Sequence, residues 1–368
     1  ANFDYTGNPI ELSLDLPSSD NPVRFEGRHL KYGASVSLTQ PLYTGGRIRE
    51  GVKKAQAEGR FALNQAEMIK ADISYEVDLR YWNTVARGEI VDIACRFARS
   101  VEKLVKVVRE RVEVQLVDRN DLLMAEVKLN DARYQLMQAE NGYEVARMSL
   151  NSFVGEDFES VLPVDTLVVP IYSVGTLPGY MEQATGNRPE LRMAQDKISI
   201  QESVRKLNQA QFLPQFYVGL DGSYSSPGYN FKADLDPNYA VYAKVSIPLF
   251  EWGKRRNEKR AGDYKVAIAR DNYNKVKDAV SLEVQSAYYN YVQAVERVTL
   301  TENSLAKACE NEEMALERYR EGKISIDGVL DAQMFHQTAQ MNFVQSRLTA
   351  QISYSNFVRV LGVDSVKE

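Results

Sequence analysis

Cysteine is nearly absent from this chain of 368 residues, which has only Cys95 and Cys309. Both lie inside helical patterns and not at matching repeat positions. They are read as unpaired thiols rather than a framework of bridges, with a single stabilising disulfide as the alternative. Histidine is equally scarce: His29 and His336 are the only two, and neither stands in a metal-ligand spacing. No phosphate-cradling glycine loop and no nucleophile elbow occurs, so no catalytic residue, metal or cofactor is expected. Carboxylates are plentiful, but on long amphipathic helices a solvated or lumen-lining face is their default use. There is no excess of positive charge. A net charge of -5 with acidic residues interleaved throughout argues against a nucleic-acid partner. Long hydrophobic runs are missing too. No stretch approaches the roughly 18 apolar residues of a membrane-spanning helix, and a mean hydropathy of -0.38 looks soluble. Barrel strands, however, need only about 9 to 11 residues and leave a faint hydropathy signal. A secretory signal is also lacking, since the chain opens ANFDYTG as a truncated or processed chain would.

What the chain does have is an internal repeat. Pro41-Leu42 recurs as Pro248-Leu249, an offset of 207 that also pairs Gly46 with Gly253, Arg49 with Arg256, and Glu76-Val77 with Glu283-Val284. Tyr81, Asn83, Val85, Glu89 and Val91 meet Tyr288, Asn290, Val292, Glu296 and Val298 in the same register. Further on, Arg111, Leu123, Ala125, Ala132 and Gly155 meet Arg318, Leu330, Ala332, Ala339 and Gly362. Chance identities between two amphipathic regions would drift in register. A fixed offset implies two copies of one structural unit.

Each copy carries strands. Tyr32, Ala34, Val36 and Leu38 alternate with Gly33, Ser35, Ser37 and Thr39, and Tyr239, Val241, Ala243, Val245 and Ile247 with Ala240, Tyr242, Lys244 and Ser246. Phe216, Val218, Leu220 and Tyr224 form one face of a third strand, Phe3 and Tyr5 one face of a fourth. The four strands form two hairpins. One connects through PSSDNP (17–22), the other through SSPGYNFKADLDPN (225–238), and alternation of Ile10, Leu12, Leu14 and Leu16 adds strand to the first connection.

The rest reads as helix. Residues 46–114 contain no proline and are dominated by helix formers, as are 253–320. A helix of about 67 residues would be near 100 Å long. Shorter helices are expected over about 122–154, 329–361 and 180–212, with Gly155 and Gly362 as stops. Two short helices stacked end to end match one long one. The segment 156–177, with VLPVDTLVVPIY, would lie between them as a small mixed belt.

PLYTGGR and PLFEWGK at the strand-to-helix junctions, RPEL before a helix ending in LPQ, and the turn RYREGKISIDGVLDAQ together resemble the TolC-like outer-membrane efflux protein family over essentially the whole chain. The resemblance implies a mixed α and β membrane protein: a trimer whose four strands per chain close one 12-stranded β-barrel, continued by a 12-helix α-barrel. The corresponding divisions are 1–43 for the first hairpin, with the first repeat's opening helix missing, 44–155 for its helices and 156–179 for the equatorial segment. In the second copy they are 180–212 for the opening helix, 213–250 for the hairpin, 251–362 for the helices and 363–368 for the tail. Physics supports this oligomeric closure independently, because two hairpins cannot close a barrel and open edges facing lipid cost several kcal/mol per unpaired group.

The implied function is a passive exit duct of a tripartite efflux pump or type I secretion system. It would sit in the outer membrane of a Gram-negative bacterium with most of its mass in the periplasm. The implied partners are two further copies, a periplasmic adaptor (membrane fusion protein), an inner-membrane RND or ABC transporter, and outer-membrane lipid. A soluble structural or adaptor-like coiled-coil protein is the alternative; it explains the helices but not strands flanked by aromatics. Tyr43, Phe250 and Trp252, followed by Arg47, Arg49, Lys53, Lys54 and by Lys254, Arg255, Arg256, Lys259, Arg260, suit a membrane interface with anionic head groups. A solvated helix start accounts for the charges alone. By the resemblance, the turns holding Gln115, Leu116, Val117 and Gly322, Lys323, Ile324 form the adaptor-contacting tip, with an ordinary helix-helix loop as the alternative. The family's glycine is present as Gly322 and replaced by Gln115. The family's ring of carboxylates maps onto Gly328 and Asp331, with Asp327 adjacent; three copies of Asp331 would repel one another and favour cations in the aperture. The family's tyrosine-to-aspartate latch maps onto Tyr319 and Asp121. The alternative is that Asp121 caps its helix while Tyr319 packs on its neighbours.

Overall fold

Alternating strands open the chain, and long proline-free helices follow them. In a computed structural model, all residues are described except 1, 10, 15–22, 27–28, 169, 171–174, 227–233 and 364–368. Ala1, Ile10, Leu16, PSSDNP, and parts of the second connection, the belt and the tail therefore lie outside the described residues. The elements run β1 (Asn2–Tyr5), β2 (Glu11–Leu14), β3 (Val23–Glu26), β4 (Leu30–Thr44), α1 (Arg47–Glu113), α2 (Arg119–Val154), α3 (Leu177–Asn187), α4 (Pro189–Ala210), β5 (Gln215–Ser226), β6 (Asp236–Ser246), α5 (Lys254–Arg320) and α6 (Ile326–Leu361). The bounds of α1 and α5, and of α2 and α6, lie 207 residues apart. Two compact units divide the chain: residues 1–59 with 196–270, and 60–195 with 271–368.

The first unit is built on an antiparallel sheet of order β1-β4-β5-β6, with β2 and β3 paired as a separate hairpin inside the first connection. Register puts like with like. Leu38 faces Leu220, which faces Val241; Ala34 faces Tyr224, and Val218 faces Ala243. Residues opposite one another share a face, so one side of the sheet is largely apolar, with Gln40 opposite Val218 and Ser226 opposite Tyr32 as its polar members. Ser35 against Ser223, and Ser37 against Asp221, make the other side polar. A bulge between Pro41 and Tyr43 leaves Leu42 unpaired. One extra residue inverts the alternation after it. Tyr43 thereby joins the apolar side, opposite Phe216 and with ring centres 6.0 Å apart. On the polar side, the hydroxyls of Tyr242 and Thr39 hydrogen-bond at 3.0 Å across the intervening β5.

The second unit is helical. Asp118 starts α2 by accepting from the Asn120 backbone N–H, and Gly155 ends it in the left-handed conformation. The buried amide of Asn151 donates to the carbonyls of Asp157, Phe158 and Ser160, which fixes the chain as it leaves α2. The following segment is pinned by Glu89: it accepts from the Val168 backbone N–H and pairs with Arg347, which donates in turn to the Val168 carbonyl at 3.2 Å.

The expected single helix over 180–212 is instead two. Proline has no N–H and pushes the preceding residue out of the helical region; Pro189 follows Arg188, whose φ and ψ are -61° and 119°. The break is put to use. The buried Arg188 guanidinium donates to the Val360 carbonyl at 3.1 Å and pairs with Glu190 and Glu283, while Arg359 joins Glu283 to Asp72. Around this network Val284, Tyr291, Phe357 and Val360 are fully or almost fully buried.

Candidate functional site at the paired helical turns

Two helix ends meet in the second unit. The last four carbonyls of any helix lack partners inside it, and both turns satisfy some of theirs in one way. After α1, the Gln115 N–H donates to the Val112 carbonyl at 3.0 Å and the Leu116 N–H to the Arg111 carbonyl at 2.8 Å. After α5, the Gly322 N–H donates to Tyr319 at 3.0 Å and the Lys323 N–H to Arg318 at 2.8 Å. The motif requires a left-handed residue, and Gln115 supplies it at φ 62°, Gly322 at φ 73°. The two turns are geometrically equivalent despite the missing glycine.

Beneath them lies a shared core of Leu104, Val105, Val108, Ala125, Tyr319, Ile326 and Val329. Val117 and Ile324 are packed against that core, while Leu116 and Lys323 project outward beside Gln115 and Gly322. Asp327 and Asp331 lie on the exposed side of α6, four residues apart and hence on one face.

Tyr319 is 3 % exposed, and its hydroxyl has no hydrogen-bond partner among the described residues. Asp121 lies near enough to act on it electrostatically, but the two are not hydrogen-bonded. Burial pushes the Tyr319 phenol above its ordinary value; nearby Arg111 lowers it and Asp121 raises it further. The cap of α2 is Asp118, not Asp121, which stands in the first turn.

Arg111 is the residue that sequence reasoning missed. From the end of α1 it donates to the carbonyls of Tyr319 at 3.0 Å and Arg320 at 2.7 Å, and its guanidinium carbon stands 4.8 Å from the centre of the Tyr319 ring. It therefore fills open carbonyls of α5 and places a cation at that helix's negative end. Its presence in register with Arg318 was the only available signal.

Tyr43, Phe250 and Trp252 lie at the end of the sheet where the helices begin. Thr44 pairs with Gln215 and Gln215 with Ser246, so β4 and β6 finish on the same side. Phe250 and Trp252 pack edge to face at 5.0 Å, and Trp252 is 90 % exposed. Trp252 holds φ 42° where its repeat mate Gly45 holds 64°.

Duplicated helical hairpins joined to a small sheet with one open apolar face define the outer-membrane channel class. The chain belongs to the outer membrane efflux protein family, whose sequence model matches residues 9–156 and 180–363. It is 22% identical over 360 residues to the toluene efflux pump outer membrane protein TtgF of Pseudomonas putida, covering 94% of this chain and 72% of that one. It is 18% identical over 342 residues to the toxin and drug export protein A of Aggregatibacter actinomycetemcomitans, covering 92% and 74%. The structure of the outer membrane protein VceC from Vibrio cholerae superposes with a TM-score of 0.77 at 16% identity, covering 98% of this chain and 87% of that one. The family is one of transport channels, not enzymes, and its place is the outer membrane of Gram-negative bacteria. The chain is an outer-membrane efflux channel protein.

Proposed function

We propose that three copies of this chain close a 12-stranded barrel and a helical tube that crosses the periplasm, forming the passive exit duct of a tripartite pump. The observation that carries this is the open sheet: among the described residues β1 and β6 each have one neighbour, and the sheet's apolar side is exposed at Val36, Leu38 and Val241. In lipid, unpaired strand edges are costly and closure removes them. The partners are a periplasmic adaptor and an inner-membrane RND or ABC transporter; the relatives' names, toluene efflux and toxin and drug export, support small molecules or proteins as cargo.

On this reading β1 of one copy pairs with β6 of the next. Single cysteines replacing Asp4 and Ala240, in a chain with Cys95→Ser and Cys309→Ser, should oxidise to covalent trimers in detergent. A chain that stays monomeric in detergent and lipid sinks the proposal. The turns are the adaptor's contact, through Leu116 and Lys323. Leu116→Glu with Lys323→Glu should abolish export while trimers persist. Asp331 with Asp327 lines the entrance, and the buried Tyr319 hydroxyl near Asp121 marks the joint that moves on opening. Single-channel conductance in planar bilayers checks both: Asp331→Ala should reduce cation selectivity, and Asp121→Ala with Tyr319→Phe should raise conductance. Wild-type behaviour in both variants would move the gate elsewhere.

A further inference from the structure

The chain as a whole is acidic, at -5, yet the segments at one end of the sheet carry a local excess of positive charge. Residues 47–54 hold four cations and one carboxylate, and residues 251–260 five cations and two carboxylates. The carboxylate of the first group, Glu50, is already engaged by Lys53 at 2.8 Å and Lys206 at 3.8 Å, which together hold it below its usual range, the Lys53 hydrogen bond first. Arg255, Arg256, Lys259 and Arg260 are exposed and form no ion pair among the described residues.

These cations do not serve the helix they stand on. The first turns of a helix carry partial positive charge, which favours carboxylates there and disfavours lysine and arginine. The first turn of α5 has no acidic residue. Glu251, paired with Lys254 at 3.9 Å, and Glu258 offset only part of this charge, and residues 251–260 keep an excess of three cations. An external anion is what the arrangement lacks.

The neighbours indicate which anion. Leu249 is 91 % exposed and Phe250 71 %, and with Trp252 they stand along the chain between the end of β6 and the cations of α5. Apolar strands, then aromatics, then cations is the order of layers a protein presents to hydrocarbon, interface and head groups. A soluble polyanion would match the charge but leave the aromatic step unexplained.

We propose that the cations at the start of α5, with those at the start of α1, dock anionic phospholipid head groups and enrich such lipids around the channel. This rests on the reading that the sheet spans the membrane. The phosphodiester of an acidic lipid accepts from the guanidinium groups of Arg255 and Arg256 while its chains lie along Leu249 and Trp252.

The test uses the full chain reconstituted in bilayers of phosphatidylethanolamine and phosphatidylglycerol, extracted with its annular lipid and analysed by mass spectrometry. Wild type should retain phosphatidylglycerol at least about threefold over its bulk fraction, with the enrichment shrinking at high salt. The variant R255Q/R256Q/K259Q/R260Q should fall to the bulk ratio. Its lysine counterpart R255K/R256K should keep most of the enrichment, and so should K307Q/R318Q, which removes two exposed cations from elsewhere. Equal enrichment in wild type and the four-site variant overturns the proposal. So does retention on purified peptidoglycan that the four-site variant loses while its lipid ratio is unchanged. Insertion without any head-group preference overturns this inference and leaves the duct standing; failure to insert into bilayers overturns both.

Discussion

The turn after α1 and the turn after α5 close on matching hydrogen bonds with different residues. One holds glutamine in the left-handed conformation, the other glycine. An L-residue there costs roughly 1 to 2 kcal/mol, which glycine avoids. The same geometry is therefore obtained at unequal local stability above one shared core. Arg111 adds a second asymmetry. It crosses to the end of α5, while its mate Arg318 is exposed and makes no ion pair or side-chain hydrogen bond among the described residues. Duplication has preserved the backbone and divided the side-chain work: one copy braces and the other is braced.

The sharpest way to break that equivalence is at the far ends of α2 and α6. A Cβ on Gly362 would stand 3.0 Å from the backbone carbon of Asn187, whereas one on Gly155 would meet nothing within 4 Å. Both positions have positive φ, so both substitutions carry the left-handed penalty, but only one also overpacks. Gly362→Ala should cost about 3 kcal/mol and Gly155→Ala about 1 kcal/mol, as read from denaturant midpoints. Equal costs would mean the break at Arg188 yields freely.

Next in size is the brace. Arg111→Ala removes two charge-assisted hydrogen bonds and a cation–π contact, at about 2 kcal/mol, whereas Arg318→Ala should stay within about 0.5 kcal/mol. Hydrogen exchange at residues 319–323 should rise in the first variant only. Comparable exchange in both would show that the brace carries no weight.

A glycine swap tests the turns themselves. Gln115→Gly should stabilise by about 1 kcal/mol and Gly322→Gln should cost about as much. If Gln115→Gly is neutral or harmful, the glutamine side chain has a role there that its exposure does not reveal.

The smallest effect belongs to Tyr319. Its folded-state phenol holds its proton to higher pH than the unfolded chain, whose value is near 10.0. Its contribution is thus intact below that pH and is lost as pH rises through the interval toward the folded value. Tyr319→Phe should change neutral-pH stability by less than about 0.5 kcal/mol, because the hydroxyl is unpaired, and should reduce the alkaline loss. Tyr81→Phe makes the contrast: its hydroxyl donates to Asp165 at 2.9 Å and accepts from the Asp165 N–H at 3.1 Å, and the change should cost about 1 kcal/mol.

Alternation of Val36 and Leu38 with serines was enough to read the strands, and the absence of proline to read α1 and α5, because both signals are local. What sequence could not supply depends on neighbours. Pro189 was visible, but its breaking of a helix competes with surrounding helix formers. The extra residue at Leu42 looks like any other until the register of β5 is known. Arg111 was legible as a repeated arginine, yet nothing in repetition says which copy's side chain will cross. For the turns, residue types alone could not separate Val117 and Ile324, which pack on the core, from the exposed Leu116 and Lys323; burial shows which way each points.

The shared bounds of α1 and α5 also govern what lengths this architecture tolerates. Arg111 meets the carbonyls of Tyr319 and Arg320 because both helices arrive at their last turn in phase. One residue inserted between Val85 and Val108 would rotate everything after it by roughly 100° about the helix axis. The guanidinium would then face away from α5, and the buried stripe would turn toward water. Insertions of seven, nearly two full turns, come close to restoring the phase, provided α2, α5 and α6 lengthen with α1. Chains of this kind should therefore change length in matched heptads across both copies, and a reading frame that gains a single codon in one helix should be lost.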